Sequence, residues 1–169
     1  MCSSDLEAGV TLGSIWNGDS PQTINGYTLT NYGDKSYGEV TLLQATERSI
    51  NTAYVNLESA VGVDKVADAA LRAGIPKSTP GLNLDALDLT FVLGTASPSG
   101  VDVADAYATF AAQGIQATPT VLRKVQGANG GLLYEFTAQT SKAFEPDTAN
   151  TVTYALNKVA TRGTGVAAL

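Results

Sequence analysis

The stretch from Thr41 to Gly62, TLLQATERSINTAYVNLESAVG, constrains this chain more than any other. Apolar residues recur at helical spacing on both sides of Ser49-Ile50-Asn51, which predicts two helices broken by a short polar step. Thr41 with Gln44 three residues on has the pattern of a capping box. Leu42, Leu43, Ala45 and Thr46 lead to Ser49. Asn51 starts the second helix, with Tyr54, Val55, Leu57, Ala60 and Val61 on its apolar side. The break sets a hydroxyl beside a carboxamide. A hydroxyl donates and accepts, and a carboxamide offers an oxygen and an NH2 group together. A purely architectural role is also open: Ser49 ends one helix and Asn51 caps the next, positions that both residue types favour.

The flanking sequence supplies further elements. Glu7 to Leu12 reads as the tail of a helix stopped by Gly13. Thr23 to Leu29 reads as a tight hairpin, because Asn25-Gly26 suits the positive φ angles of a two-residue turn. Trp16, Tyr27, Tyr32 and Tyr37 are packing anchors first and a sugar or peptide platform second. Asp64 is placed to cap a third helix carrying Val66, Ala69, Ala70 and Ala73, which Gly74 ends. Residues 77–88 form a loop, and Leu89 to Leu93 is open between strand and turn.

Ser99 with Asp102 repeats the capping-box pattern. Val103, Ala106, Tyr107, Phe110 and Ala111 follow as the cleanest helical stripe in the chain, ended by Gly114. Residues 120–125 and 132–136 flank Gly127-Ala128-Asn129-Gly130-Gly131 and predict a hairpin. Pro146 opens a last helix with Ala149, Val152, Leu156 and Val159 on one face, and Gly163-Thr164-Gly165 ends it. The stripes at Val103–Ala111 and Ala149–Val159 call for a sheet to cover them, so alone the chain is expected to fold with little cooperativity. The elements read as part of one α+β domain.

Composition narrows the chemistry. The chain has 169 residues, 44% hydrophobic and 15% charged, which suits a globular domain. No run approaches the about 20 apolar residues of a membrane span. Net charge is −6 with ten scattered basic residues, against a nucleic-acid surface. Histidine is absent, which removes Ser-His-Asp and Cys-His chemistry and histidine metal sites. Serine chemistry here would need another base, such as lysine. Asp102/Asp105 and Asp85/Asp88 are explained as helix-start and loop charges. The glycines of 127–131 join two strands rather than a strand and a helix, against a phosphate cradle. Ser97-Pro98-Ser99 is a loop and cap, and Asp34-Lys35-Ser36 a turn. Cys2, the one cysteine, has no internal partner. Residues 1–6, MCSSDL, match the translated end of a common DNA sequencing adapter, so the native sequence is expected to begin near Glu7.

Four blocks then carry a resemblance. NGYTLTNYGDKSYGEVTLLQATERSINTAYVNLESAVG, VADAALRAGIP, LGTASPSGVDVADAYATFAAQGIQATPTVLRKVQGANGGLLYE and ANTVTYALNKVATRGTGVAAL, in this order and spacing, resemble the transpeptidase domain of the penicillin-binding proteins. The last block, with its Gly-Thr-Gly, is more similar to the bifunctional class A proteins. The resemblance implies a partial β-lactamase/transpeptidase-like fold, mostly its helical part with short hairpins, over 7–169. It implies acyl transfer through a serine ester on D-alanyl-D-alanine stem peptides of peptidoglycan, and reaction with β-lactams. Ser49 matches the second-motif serine that helps shuttle a proton to the leaving or lactam nitrogen. Asn51 matches the asparagine that bonds the catalytic lysine and the substrate's amide carbonyl.

The family's other two motifs, Ser-x-x-Lys and Lys-Thr-Gly, occur nowhere in the 169 residues. The segment alone is therefore expected to be inactive, and its parent to work on the outer face of the bacterial cytoplasmic membrane. No metal or organic cofactor, no nucleic acid and no membrane contact by this segment are implied. Two alternatives remain: a non-catalytic binding or scaffolding module of the same fold, and a serine β-lactamase-like hydrolase.

Overall fold

Two capping boxes and a run of left-handed turns punctuate the chain in the computed structural model, which describes residues 6–168. Met1 to Asp5, most of the suspected adapter segment and its cysteine, lie outside the described residues. The main helices are α1 (Leu42–Arg48), α2 (Asn51–Val61), α3 (Val63–Ala73), α4 (Gly100–Ala111) and α5 (Pro146–Arg162). The strands are β1 (Ile15–Asn17), β2 (Gln22–Ile24), β3 (Tyr27–Leu29), β4 (Glu39–Thr41), β5 (Ile115–Ala117), β6 (Lys124–Gln126), β7 (Leu132–Glu135) and β8 (Thr140–Lys142). They form antiparallel two-stranded ribbons, β1–β4, β2–β3, β5–β8 and β6–β7. This is an α+β arrangement dominated by helices.

Helix α1 starts where expected. The Thr41 hydroxyl accepts from the Gln44 backbone N–H at 3.1 Å, and the Gln44 side chain accepts from the Thr41 N–H at 2.9 Å. Ser99 and Asp102 repeat this at α4. Asn25 and Gly26, at φ 48° and 86°, turn the β2–β3 hairpin, whose Thr23 and Thr28 hydroxyls meet at 2.9 Å. Pro146 occupies the first turn of α5, and Gly74 closes α3 in the left-handed region.

Some expectations need correction. The helix tail expected over Glu7–Leu12 stops at Glu7 instead: Gly9, at φ 86°, diverts the backbone. Val10 and Leu12 then pack as irregular backbone against Leu42, Leu57 and Val61. Asp64 does not cap α3. That helix follows α2 across Gly62 alone, and Asp64 falls inside its first turn, where its charge still suits the helix dipole. For Leu89 to Leu93, left open between strand and turn, the structure gives the turn, ending in a 3-10 turn at Phe91–Leu93.

The core sits around α2. Val40, Ala45, Ile50 and Ala53 pack with Trp16, Tyr37 and Tyr54 on one side. Val55 meets Ile24 and Val92 on another. A second core lies beneath α3 and α4, where Phe110 and Phe144 stack with ring centroids 5.0 Å apart. Arg72 covers Phe144, bonds Glu7 and Asp68, and donates to the Ala143 carbonyl. The hydrogen bonds it donates to the Glu7 carboxylate hold its guanidinium above the ordinary arginine value.

The four aromatics of the N-terminal part divide. Trp16 and Tyr37 anchor the core, whereas Tyr27 is half exposed and Tyr32 is 95% exposed. Helices rather than a sheet cover the first half of the α5 stripe, since α5 packs on α1 and α4 and buries Ala149 and Val152, while Leu156 and Val159 stay partly exposed. No described helix is long and apolar enough to cross a membrane.

Candidate functional site

The polar step between α1 and α2 is a Schellman turn. Ser49 takes the left-handed conformation, φ 54° and ψ 53°. Its N–H donates to the Thr46 carbonyl at 3.3 Å, and the Ile50 N–H reaches back to Ala45 at 3.0 Å. Glycine is the usual residue here, because a Cβ in this region costs about 1 kcal/mol or more. A serine in this place holds a hydroxyl out on a sharp corner. Ser49 is exposed while Ile50, the next residue, is fully buried and pins the corner to the core.

Asn51 begins α2 but does not cap it. The residue ahead of the helix is Ile50, which has no side chain able to cap. Asn51 Nδ2 instead donates to the Thr30 carbonyl at 3.1 Å. One amide hydrogen is thus committed to the neighbouring loop, and Oδ1 and the second hydrogen are held in a fixed direction. The capping work is done from a distance. Asn31, buried, accepts from the Thr52 N–H at 3.0 Å and the Thr52 hydroxyl at 3.1 Å. Its own Nδ2 donates to the Gly18 and Lys35 carbonyls, both at 2.9 Å. The architectural reading therefore holds for Ser49 as a helix terminator and fails for Asn51 as a cap.

Ser49 and Asn51 share the wall of an apolar groove of about 390 Å³. Tyr54, Val92, Leu93, Tyr107 and Phe110 line it from α2, the 3-10 turn and α4, and Val152, Leu156 and Val159 from α5. Thr164 reaches it from the turn after α5. Thr46 donates its hydroxyl to Leu42 at 2.8 Å and meets the Tyr54 hydroxyl at 2.6 Å, so Tyr54 donates in that pair. The groove joins an apolar floor to a hydroxyl-rich rim, the pattern of a site that orients a polar, mostly uncharged group. In the turn that leads to Leu93, the exposed Asp88 carboxylate accepts from the Thr90 hydroxyl and N–H. Those two bonds, the hydroxyl's first, hold the Asp88 carboxyl below the usual carboxylate range.

Of the groove's residues, the sequence singles out Ser49 and Asn51; Thr46, Tyr54 and Thr164, and Asn31 beneath them, come into view only in the structure. In the sequence Thr46 and Tyr54 are only members of helical patterns, and their hydroxyls meet because eight residues across the bent step return to the same place. Asn31 had no legible signal. The carboxylate pairs set aside as surface charges do lie outside the groove: Asp102 is in its capping box, and Asp105 accepts from Gln116 at 3.0 Å.

Comparison with known proteins identifies the family. A family model described as the penicillin binding protein transpeptidase domain matches residues 10–169. Penicillin-binding protein 1A of Mycobacterium tuberculosis is 37% identical over 140 residues, 77% of this chain and 17% of that protein. Penicillin-binding protein 1B of Escherichia coli is 30% identical over 163 residues, 90% of this chain and 18% of that protein. The chain thus spans less than a fifth of the length of either relative. Among solved structures, PonA1 of M. tuberculosis in complex with penicillin V aligns with a TM-score of 0.86 and 33% identity, over 96% of this chain and 46% of that one. The chain belongs to the family of penicillin-binding protein transpeptidase domains.

Proposed function

We propose that this chain is part of a peptidoglycan D,D-transpeptidase of the class A kind, and that Ser49 and Asn51 belong to its active site. The observation that carries the proposal is the exposed, left-handed Ser49 beside Asn51 on the wall of one apolar groove. In this reading a nucleophilic serine attacks the D-alanyl-D-alanine peptide carbonyl, D-alanine leaves, and an amine on a neighbouring strand takes the acyl group. A β-lactam enters as the donor does and remains as the ester. Nucleophile and lysine base come from sequence outside these 169 residues, since the chain carries neither Ser-x-x-Lys nor Lys-Thr-Gly.

Ser49 then relays a proton to the departing nitrogen. Its hydroxyl can receive one and give one, and the corner presents it to the groove. Asn51 holds the lysine with Oδ1 and the substrate carbonyl with its second amide hydrogen, the first being fixed on Thr30. The parent protein works on the outer face of the cytoplasmic membrane, where its peptide substrate lies.

The test is covalent labelling of the full-length parent with a fluorescent penicillin. The parent should be labelled, Ser49→Ala and Asn51→Ala should slow labelling on the order of 100-fold as proton-transfer and positioning groups, and these 169 residues alone should take no label. An unlabelled parent overturns the acyl-transfer reading, and labelling of the 169-residue chain overturns its predicted inactivity.

A further inference from the structure

Glu47 stands two residues before Ser49 and is buried, yet its carboxylate is bound by a residue 115 positions away. Arg162 Nε and Nη2 both reach Glu47 Oε1, at 2.7 and 2.6 Å. The backbone repeats the tie: the Glu47 carbonyl accepts from the Thr164 N–H at 3.0 Å. Gly163 lies between these two contacts with the Glu47 carbonyl and Val159 so close that no side chain fits. The last turn of α1 is thus fastened at three points to the end of α5 and the Gly163-Thr164-Gly165 turn. On the other side Arg48 lies over the Tyr37 ring, 5.9 Å from its centroid. Both residues ahead of Ser49 are therefore anchored.

Ser49 and Thr164 line the same groove, and the Glu47–Arg162 tie joins the two segments that carry them. We propose that Glu47 and Arg162 are positioning residues that set the spacing of the Ser49 and Thr164 hydroxyls across the groove. The proposal deepens the acyl-transfer reading and rests on it for its catalytic consequence. The pair sets a mostly buried carboxylate against a guanidinium that is more than half exposed, so its net stability is small, but two hydrogen bonds to one oxygen fix its geometry. Holding Ser49 within a fraction of an ångström is what proton transfer to a departing nitrogen demands. The strain of a left-handed serine makes the corner a place where a loosened anchor would be felt first.

The experiment uses the full-length parent protein with Glu47→Gln, Arg162→Gln, and the charge-reversed pair Glu47→Arg with Arg162→Glu. Arg162 is more than half exposed, so its replacement leaves folding intact. Penicillin acylation is resolved into binding and the chemical step, and amide hydrogen exchange is followed at 48–50 and 163–165. Each single variant should slow the chemical step about tenfold with binding unchanged, and speed exchange at both segments together. The reversed pair should recover most of both effects. Arg72→Gln, which breaks the ion pair with Glu7 away from the groove, should change neither. Variants that alter binding and chemistry alike, or exchange at one segment only, would refute the clamp. A wild-type parent that takes no penicillin rejects the acyl-transfer reading instead, and coupled exchange at the two segments then decides the clamp by itself.

Discussion

Asn31 accepts two hydrogen bonds from Thr52, one from the backbone and one from the hydroxyl, and so caps a helix that begins 20 residues further on. A side chain from a distant loop supplies what Ile50 cannot. The same carboxamide donates to Gly18 and Lys35, which locks the β1 exit and the loop before Tyr37 onto the start of α2. The Ser49-Ile50-Asn51 corner is held from below by this residue.

Replacing Asn31 by Ala should destabilise the intact protein by about 3 kcal/mol, because buried carbonyls and an amide lose their partners at once. Thr52→Val, which removes one hydroxyl and keeps the volume, should cost about 1 kcal/mol. Urea unfolding at unchanged slope reads both. An Asn31→Ala variant within about 1 kcal/mol of wild type would deny this residue its capping role.

Ser49→Gly should stabilise the fold while impairing function. The native φ of 54° suits glycine, and relieving a left-handed Cβ is worth about 1 kcal/mol. Under the acyl-transfer reading the same change removes the relay hydroxyl and slows acylation. Ser49→Ala keeps the strain and loses the hydroxyl, so it should slow acylation equally without the gain in stability. Equal stability for glycine and alanine at 49 would show that the corner stores no strain.

Acid should loosen the turn that leads to Leu93 before it unfolds the core. The Asp88 carboxyl is held below its ordinary value of about 3.9 by the Thr90 hydroxyl and N–H. A depressed folded value means that this contribution is complete above the unfolded value and disappears as pH falls through the folded one. The window is therefore below about pH 4. Amide exchange at 90–93, corrected for its intrinsic pH dependence, should accelerate there, and Asp88→Asn should abolish that step. Acceleration that persists in the variant would assign it to another group.

The sequence was most legible where a local rule had one meaning. Capping boxes at Thr41 and Ser99, the Asn25-Gly26 turn, Pro146 and Gly74 form as read, because each works within four residues of itself, whereas Gly13 closes no helix. Strands β1 and β4, and β5 and β8, were invisible: three residues each, they pair across long separations and show no alternation. Asp64 misled because a cap and a first-turn acid share one residue type, and only the placement of Gly62 separates them. In the site, Ser49 and Asn51 stood out through the helix break. Asn31, Thr164 and the Glu47–Arg162 pair are fixed by tertiary contacts that no spacing announces.

Gly163 carries the last prediction. Its backbone, at φ −107° and ψ −153°, is open to any residue, so glycine is required there by crowding alone. A methyl group would collide with the Glu47 carbonyl oxygen and with Val159. Gly163→Ala should therefore push the turn off α1, break the Thr164 hydrogen bond to Glu47, and cost about 2 kcal/mol. Gly165 offers the internal comparison, since a methyl there would meet the Val159 carbonyl at 3.2 Å, a tight contact that a small shift relieves. The thermal midpoint of Gly163→Ala should fall clearly below that of Gly165→Ala, and exchange at Thr164 should rise only in the former. Similar midpoints for the two variants would mean that α1 and the turn after α5 can separate without loss, which would also remove the physical basis for a clamp at Glu47.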